Sequence, residues 1–334
     1  MDKEKTRQQT RRKIVLYAAV VAIAAIAATA ALQKYQDDAF SSLFFPDTEE
    51  VRAEDNGHLF YQNEEYVPRE GIQTYLFIGI DEPGKVQADK QYSGGGQADV
   101  QLLLVLDEQA NTWRLLNINR DLLTDIPVLN MFGNVAGYEK GQIALAHAYG
   151  NGLESSNKNA TLAVSEVLHN QPIDGTISLN MDAIGVVNQR LGGLTVKVAD
   201  DLSKIDPKLK KGKTVTLSDE QAIQYVRARK DVGDETNETR MARHESIVEA
   251  MLQKLPELSD EDVIRLYDAL HEYMVSDIGS KTMVEITDAL RSGKQLSTLY
   301  IDGKQIEWGE NFAWQADEEA LKQIVIELFY QKAD

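Results

Sequence analysis

The sequence contains no cysteine among its 334 residues. This absence excludes a disulfide framework, a zinc ribbon, an iron–sulfur site and a cysteine nucleophile. Basic residues are also scarce, because 35 Lys and Arg stand against 53 Asp and Glu, and the formal net charge is −18. Such an acidic chain lacks the basic face of a general nucleic-acid binder, so we expect no nucleic-acid partner.

Sequence signals of several other protein classes are missing. The chain has no internal repeat, no low-complexity segment, no G-x-S-x-G motif and no P-loop. Its five histidines show no metal-ligand spacing. The apolar fraction of 43% is ordinary for a globular protein and excludes wholesale disorder. The length fits one large domain or two small ones.

Charge is unevenly distributed at the N-terminus. Residues 1–13 contain six Lys or Arg and two Asp or Glu, whereas the rest of the chain contains 29 basic and 51 acidic residues. Residues 14–32 carry no charge, and a membrane-spanning helix needs about 20 apolar residues. Under the positive-inside rule this pattern predicts a cytoplasmic tail, one transmembrane anchor and an extracytoplasmic body, that is, a single-pass cell-membrane protein.

The apolar segment has two alternative interpretations. Ala28-Thr29-Ala30 would suit a signal-peptide cleavage site, but the run exceeds the roughly 7–15 residues of a signal h-region. A buried Ala-rich helix in a soluble core would be expected to show some polar face. Length therefore favours an uncleaved anchor, followed by a polar, acidic stalk over residues 33–55 and an extracytoplasmic domain over residues 56–334.

Hydrophobic periodicity predicts an α/β fold. Nearly continuous apolar runs at 73–80, 100–106 and 113–119 are typical of buried strands, and the short turn between the last two predicts an antiparallel hairpin. The other predicted elements are helices at 139–149, 159–169, 181–191, 218–225, 240–255, 259–273, 282–290 and 317–330, strands at 176–179 and 194–198, and a late hairpin of 295–301 with 304–308. Interleaved helices and strands predict a single mixed sheet, with parallel and antiparallel pairs, sandwiched by helices.

Three charged residues mark the ends of the first strands. Asp81 follows the first strand, Asp99 precedes the second and Arg120 follows the third. If the second strand is antiparallel to both neighbours, all three residues lie at one edge of the sheet. Paired carboxylates can hold Mg²⁺ and arginine binds phosphate bidentately. The alternative for each aspartate alone is a turn or cap residue.

A second cluster contains four arginines within 17 residues: Arg227, Arg229, Arg240 and Arg243. Residues two apart share a side only in extended chain, so Arg227 and Arg229 can share a ligand only if the helix ends near them. Arg240 and Arg243 are spaced to share a helical face. The cluster is either an anion site or a set of surface salt bridges with the many nearby acids.

Taken in order, these segments resemble the LytR-CpsA-Psr (LCP) family of bacterial cell-envelope proteins. The similar segments are the tail and anchor, YLFIGID (75–81), QAD (97–99), LLNINRD (115–121), ALAHAYGNG (144–152), NQRLGGLTVKV (188–198) and residues 217–245. The resemblance covers residues 71–250, with residues 251–334 as a helical and hairpin extension of the same domain.

The resemblance implies a Mg²⁺-dependent phosphotransferase that works outside the membrane. Its partners would be an anionic glycopolymer on undecaprenyl pyrophosphate, such as wall teichoic acid or capsular polysaccharide, and peptidoglycan as the acceptor. By motif position the metal-linked residues are Asp81 and Asp99, and the catalytic and pyrophosphate-binding arginines are Arg120, Arg227, Arg229 and Arg240. Arg243 and Asp121 complete the implied substrate-binding set. The apolar runs 144–149, 163–168 and 183–187 are candidates to line a cavity for the lipid, or are ordinary core.

Three residues depart from the family pattern. Gln97 stands where an arginine is usual, Asn119 replaces a proline and His244 replaces a glutamine. These departures leave two alternatives open. The first alternative to the transferase is a non-catalytic regulator or scaffold that binds polyprenyl pyrophosphates. The second is a pyrophosphatase that uses water as the acceptor.

Overall fold

The computed structural model describes residues 51–53, 57–88, 95–130, 134–228 and 237–333. The predicted tail, the predicted anchor at 14–32, the stalk apart from 51–53, and Arg229 lie outside these ranges. Within the described ranges, no helix combines the length and apolar character needed to cross a bilayer. The anchor and the outward orientation of the domain therefore stay predictions.

The chain divides into two units. The smaller unit joins the described residues up to Pro68 to those from Tyr330 onward. Its strands form an antiparallel sheet in the order β1-β2-β3-β17. These strands are β1 (Val51–Ala53), β2 (Leu59–Tyr61), β3 (Glu64–Pro68) and β17 (Tyr330–Lys332). Strand β1 thus lies within the predicted stalk.

The larger unit, Arg69–Phe329, contains the central mixed sheet, with strand order β12-β9-β4-β5-β6-β13 and β14 also paired with β6. Its strands are β4 (Ile72–Ile80), β5 (Ala98–Asp107), β6 (Thr112–Asn117), β9 (Gly175–Asn180), β12 (Met274–Ser276), β13 (Lys294–Gln295) and β14 (Leu299–Tyr300). Strand β5 is antiparallel to both β4 and β6, and β9 is parallel to β4. The predicted mixed sheet and its antiparallel centre are confirmed.

Helices cover both faces of this sheet. They are α1 (Leu145–Ala148), α2 (Glu154–Val167), α3 (Ala183–Arg190), α4 (Asp219–Arg227), α5 (Asn237–Lys254), α6 (Asp260–Leu270), α7 (Ser280–Ser292) and α8 (Glu318–Phe329), with 3₁₀ turns at Leu255–Glu257 and His271–Tyr273. On one face, Thr161 of α2 hydrogen-bonds Thr176 of β9 at 2.7 Å. On the other face, Ile286 and Leu290 of α7 pack with Leu104 of β5. The predicted helix sandwich is confirmed.

The predicted helix at 139–149 is wrong over most of its length. Residues Val135–Gln142 form strand β8, which pairs antiparallel with β7 (Leu123–Leu129), and only the short helix α1 follows. Strand β8 is exposed along nearly all its length, so it carries no alternation of apolar and polar residues that would identify it. Its backbone hydrogen bonds come from β7, a strand that apolar periodicity did not predict.

The predicted late hairpin is also wrong. Strand β15 (Gly303–Trp308) pairs instead with β16 (Asn311–Ala316), around a turn at Gly309. Asp302 and Gly303, which lie between the two segments of the predicted hairpin, do not form its turn, and Gly303 begins β15. A Cβ on Gly303 would lie 2.2 Å from the carbonyl oxygen of Gln315, so glycine is needed there for close strand approach. A further two-stranded sheet pairs β10 (Thr195–Lys197) with β11 (Thr214–Thr216).

Candidate functional site

The centre of the site is a buried carboxylate between two arginines. Oδ1 of Asp99 accepts a hydrogen bond from Nη1 of Arg120 and another, 3.0 Å long, from Nη2 of Arg240. The relative exposures of Asp99, Arg120 and Arg240 are 5%, 7% and 7%. Charge-assisted hydrogen bonds are the strong kind, and here they compensate charges that burial would otherwise penalise.

Three separate elements bring these residues together. Asp99 is near the start of β5, Arg120 follows β6 by three residues and Arg240 lies in the first turns of α5. The antiparallel β5–β6 pairing puts the start of one strand beside the end of the other. Residues 141 positions apart in sequence, Asp99 and Arg240, thereby share one hydrogen bond.

Gln97 connects Asp81 to this centre. The backbone N–H of Gln97 donates to Oδ1 of Asp81 at 2.7 Å, and the N–H of Asp81 donates to the carbonyl of Gln97 at 3.0 Å. The side-chain oxygen of Gln97 accepts from Nη2 of Arg120 at 2.5 Å. At the position where the resemblance expects an arginine, this chain therefore has a neutral acceptor that orients Arg120.

The glycine before Gln97 has a conformational role. Gly96 has φ +74°, and a Cβ there would lie 2.4 Å from Cγ2 of Ile80 and 2.6 Å from Cγ of Glu82. Only glycine allows the chain to turn this close to the end of β4. Burial, and after it the charge of Asp81, raises the pKa of the Glu82 carboxyl.

Asp121 and Asn119 shape the turn that carries Arg120. Oδ1 of Asp121 lies 3.4 Å from Nε of Arg120 and accepts from Nε2 of Gln142 at 2.9 Å. The N–H of Asp121 donates to Oδ1 of Asn119 at 2.9 Å. Asn119, which stands where the resemblance expects proline, stabilises this turn through its side chain, as is typical of an Asx turn.

Arg227 lies at the end of α4 and pairs with Asp182 rather than with Asp99. Helix α4 begins at a capping box, in which Ser218 and Gln221 cap each other's backbone N–H groups. It ends at Arg227, because Ala228 is extended with ψ 120°. Arg227 and Arg229 could share a ligand only if the helix ended near them, and helix α4 does end at Arg227. Arg229 itself lies outside the described residues.

Arg243 is directed into the protein. Its guanidinium donates to Oδ2 of Asp200 at 2.9 Å and to the carbonyls of Tyr225 and Ala228. Both Arg243 and Asp200 are 2% exposed. Of the two arginines expected to share a helical face, Arg240 thus contacts the Asp99 centre, whereas Arg243 connects α5 to the end of α4.

An apolar tunnel opens beside Asp99. It runs between the sheet and helices α3, α5 and α7, and its polar lining residues in the described chain are Asp99, Asn180, His244 and Thr287. Of the three apolar runs predicted to line a lipid cavity, 183–187 contributes Ala183, Ile184 and Val187 to the tunnel, whereas 144–149 and 163–168 contribute none. The arrangement combines an anion-binding head with an apolar channel.

The two carboxylates offer oxygen ligands of the kind that Mg²⁺ prefers. Mg²⁺ usually takes one or two carboxylates together with phosphate oxygens and water. Asp81 and Asp99, joined through Gln97, match that partial donor set. Within the described residues there is no cluster of three or more acidic or histidine ligands, so a metal here would need the substrate and water to complete its coordination.

His244 is the buried histidine at this centre. Its Nε2–H donates to the carbonyl of Val226 at 3.2 Å. Burial, chiefly, lowers the pKa of His244 to about 4, and the charges of Arg240 and Arg243 act in the same direction. The imidazole is therefore neutral near pH 7, with the proton on Nε2 and an unprotonated Nδ1.

The model of the LytR_cpsA_psr family matches residues 47–329. The chain belongs to this family. The teichoic acid transferase TagU of Halalkalibacterium halodurans, named a polyisoprenyl-teichoic acid–peptidoglycan transferase, is 25% identical over 233 residues, which cover 69% of each chain. TagU of Bacillus subtilis is 24% identical over 258 residues, which cover 76% of each chain.

Solved structures share the LytR_cpsA_psr fold. The structure of TagT bound to LI-WTA has a TM-score of 0.58 at 24% identity and covers 78% of this chain and 90% of that one. The structure of Bacillus subtilis TagV has a TM-score of 0.59 at 21% identity, and the match covers 78% of this chain and 96% of that one. These likenesses concern the fold and confirm the mixed α/β architecture expected for a LytR_cpsA_psr protein.

Sequence reasoning missed the acidic partners of the family arginines. Asp182 and Asp200, which pair with Arg227 and Arg243, are distant in sequence and belong to no motif. It also noted His244 only as a departure from the family pattern. The signal that could have drawn attention to His244 is its place one residue after Arg243, on a helix that also carries Arg240.

Proposed function

We propose that this protein transfers an anionic glycopolymer from a polyprenyl-pyrophosphate carrier, undecaprenyl pyrophosphate being the expected one, to peptidoglycan. The observation that carries the proposal is the buried Asp99 carboxylate between Arg120 and Arg240 at the end of an apolar tunnel. The apolar tunnel suits the polyprenyl chain of the carrier lipid, and the arginines suit its pyrophosphate group. The names of the two TagU relatives support the class of donor and acceptor.

The arginines are the groups that would bind the pyrophosphate. Arg120 and Arg240 are held by Asp99 in fixed orientations, so little reorganisation is needed as negative charge develops on the phosphoryl oxygens. Arg227, half-exposed and paired with Asp182, can exchange that partner for phosphate at low cost because exposed pairs contribute little. Phosphoryl transfer needs this positioning and charge neutralisation more than covalent participation by the protein.

The reaction would replace the phosphoanhydride bond of the pyrophosphate by a phosphoester bond to the acceptor. A hydroxyl oxygen of the acceptor attacks the phosphorus next to the glycopolymer, and a new P–O bond forms. The bond from that phosphorus to the bridging oxygen breaks, polyprenyl monophosphate leaves and the hydroxyl proton is released to water. Asp81 and Asp99 would hold Mg²⁺, which when bound neutralises charge on the phosphate oxygens.

The test uses the full chain in detergent with a polyprenyl-pyrophosphate-linked glycan, Mg²⁺ and peptidoglycan oligosaccharides, with products followed by mass spectrometry. We expect transfer that depends on the acceptor and is lost in Arg240→Ala. Arg265→Ala, which removes a surface arginine paired with Glu261, is the matched control and should transfer normally. Donor hydrolysis without transfer would instead indicate a pyrophosphatase. Donor binding with no turnover would indicate the regulator or scaffold.

A further inference from the structure

A second cleft, of mixed polar and apolar lining, lies beside the apolar tunnel and shares lining residues of β5, β6 and α5 with it. Its volume is about 440 Å³, within the roughly 300–1,000 Å³ typical of small-molecule sites. The side chains of Asn117, Glu245, Glu249, Gln253 and Gln295 supply carboxylate and amide groups to its lining. These are groups that hydrogen-bond hydroxyls, and the cleft contains no Lys or Arg among its described lining residues.

Helix α5 borders both cavities, and His244, Val248 and Leu252 line the two together. Glu245, Glu249 and Gln253, at successive four-residue intervals, line the cleft, whereas Ile247 and Met251 line the tunnel. Four-residue spacing keeps side chains on one helical face. The polar residues of α5 that line the cleft therefore lie on a different part of the helix surface from Ile247 and Met251 of the tunnel.

Among the residues that line both cavities, the two with polar side chains are Asp99 and His244. His244 is 7% exposed, and its Nε2–H is used by the carbonyl of Val226. Among the described residues, its Nδ1 has no hydrogen-bond partner. A buried acceptor without a donor costs free energy, so this atom points to a ligand that brings a hydrogen-bond donor to the junction.

The chemistry of the junction selects the ligand. A phosphate oxygen is itself an acceptor and cannot satisfy an unprotonated Nδ1. The two glutamates in the cleft disfavour an anionic ligand, because like charges repel. Glu245 already accepts a hydrogen bond from the hydroxyl of Tyr300, which shows that a hydroxyl group suits this lining. An uncharged sugar with free hydroxyls meets all three conditions.

We propose that the cleft between Glu249 and His244 is the acceptor site, and that Nδ1 of His244 accepts a hydrogen bond from the sugar hydroxyl that becomes phosphorylated. This inference rests on the proposed function for the identity of the reaction. With its hydrogen held at Nδ1, the hydroxyl oxygen lies near Asp99, whose partners Arg120 and Arg240 would hold the donor phosphate. The ligand is an uncharged sugar residue of the acceptor glycan.

Direct binding tests the cleft independently of turnover. The full chain in detergent is titrated with chitotetraose, an uncharged N-acetylglucosamine oligomer, and binding is followed by saturation-transfer NMR. We expect binding to the native chain, a loss of at least about tenfold in affinity in His244→Leu, and a similar loss in Glu249→Lys. Glu261→Lys, a charge reversal on the exposed face of α6, is the matched control and should bind as the native chain does.

Kinetics separate an acceptor role from a structural one. In the transfer assay, His244→Leu should raise the KM for the acceptor about tenfold while the KM for the lipid donor changes much less. His244→Gln should restore acceptor binding, because the amide can donate to Val226 and still offer an acceptor oxygen. If thermal melting shows that His244→Leu does not fold, the His244→Gln variant still tests whether this residue acts in acceptor binding.

The outcomes distinguish this proposal from the proposed function. If the native chain binds chitotetraose through His244 but transfers nothing, the function fails and the sugar site stands. If the native chain does not bind the oligosaccharide, the assignment of the cleft is overturned. It is likewise overturned if the His244→Leu and Glu249→Lys variants bind as the control does, or if donor and acceptor KM rise equally.

Discussion

Nη2 of Arg240 lies 3.0 Å from Oδ1 of Asp99, the same oxygen that accepts from Arg120. One buried carboxylate oxygen therefore compensates two buried guanidiniums. Arg120 also lies 3.4 Å from Oδ1 of Asp121. The two guanidiniums lie together at one carboxylate, where an anionic ligand would be attracted to both. Four predictions about this site and its surroundings, and one about the pH dependence of stability, follow from such contacts.

Asp99→Asn keeps the shape of the side chain but removes its charge. The two arginines then lose the charge of their shared buried partner, and we expect a loss of about 3 kcal/mol in the free energy of unfolding. Inorganic pyrophosphate should restore more stability to this variant than to the native chain, because the ligand replaces the missing anion. Urea unfolding of the full chain with and without pyrophosphate measures both effects. Asp288→Asn, which removes an exposed partner of Arg291, is the control, and equal stabilisation of Asp99→Asn and native chain would refute the charge argument.

Gln97→Ala removes the acceptor that orients Arg120. The net contribution of one hydrogen bond is about 1 kcal/mol, which corresponds to roughly fivefold weaker binding of a polyprenyl-pyrophosphate donor. Gln73→Ala provides the control, because Gln73 bonds an exposed glutamate, Glu108, at the far end of β4. Donor affinities measured by fluorescence titration should differ between the two variants. Equal affinities would mean that Gln97 has no part in positioning Arg120.

Arg243→Ala should act on stability. It leaves the carboxylate of Asp200 buried and uncompensated, at a cost of about 3–5 kcal/mol. Arg227→Ala breaks a half-exposed pair and should cost about 1 kcal/mol or less, while weakening donor binding. The double variant Asp200→Ala with Arg243→Ala should recover part of the loss, because no lone charge remains. Urea unfolding gives the three values, and a stable Arg243→Ala variant with poor donor binding would instead place Arg243 in the binding site.

Gln101→Leu should stabilise the protein. Gln101 is fully buried in β5, and within the described residues neither polar atom of its side chain has a hydrogen-bond partner. Replacement by leucine removes these unsatisfied groups at nearly constant volume, with an expected gain of about 1–3 kcal/mol. The midpoint of urea unfolding measures the change. A lower midpoint would show that the amide contributes to stability.

Stability should decline as the pH falls from about 6.5 towards 4. Burial, followed by the charge of Lys322, lowers the pKa of His169 to about 4 in the folded state. In this window the unfolded chain binds a proton that the folded chain does not, so acid favours unfolding. His169→Asn removes the titrating group and tolerates the φ of +54° found there. We expect the free energy of unfolding to fall by about 2 kcal/mol less between pH 6.5 and 5 in this variant than in the native chain. If its free energy of unfolding depended on pH as that of the native chain does, His169 would not be the titrating group.

Local features of the chain were predictable where one segment contains its own signal. The apolar runs at 73–80 and 100–106 are buried strands, and Ser218 with Gln221 caps the helix predicted from residue 218. The short turn predicted the antiparallel pairing of β5 with β6, which places Asp99 beside Arg120. The antiparallel pairing of β4 with β5 was assumed at that point, and the structure confirms it. The segments at 139–149 and 295–308 were predicted wrongly, because the partner strands of β8 and β15 were not recognisable from periodicity.

The sequence by itself determined the central strands, the capped start of α4 and the residue types of the site, because buried strands and helix caps depend on neighbours within a few positions. Only the tertiary structure decided which charge each arginine meets. Arg240 pairs with Asp99, Arg227 with Asp182 and Arg243 with Asp200. These partners are 141, 45 and 43 positions apart in sequence. No local pattern encodes such pairs, since they arise only when packing of helices on the sheet brings distant charges out of water together.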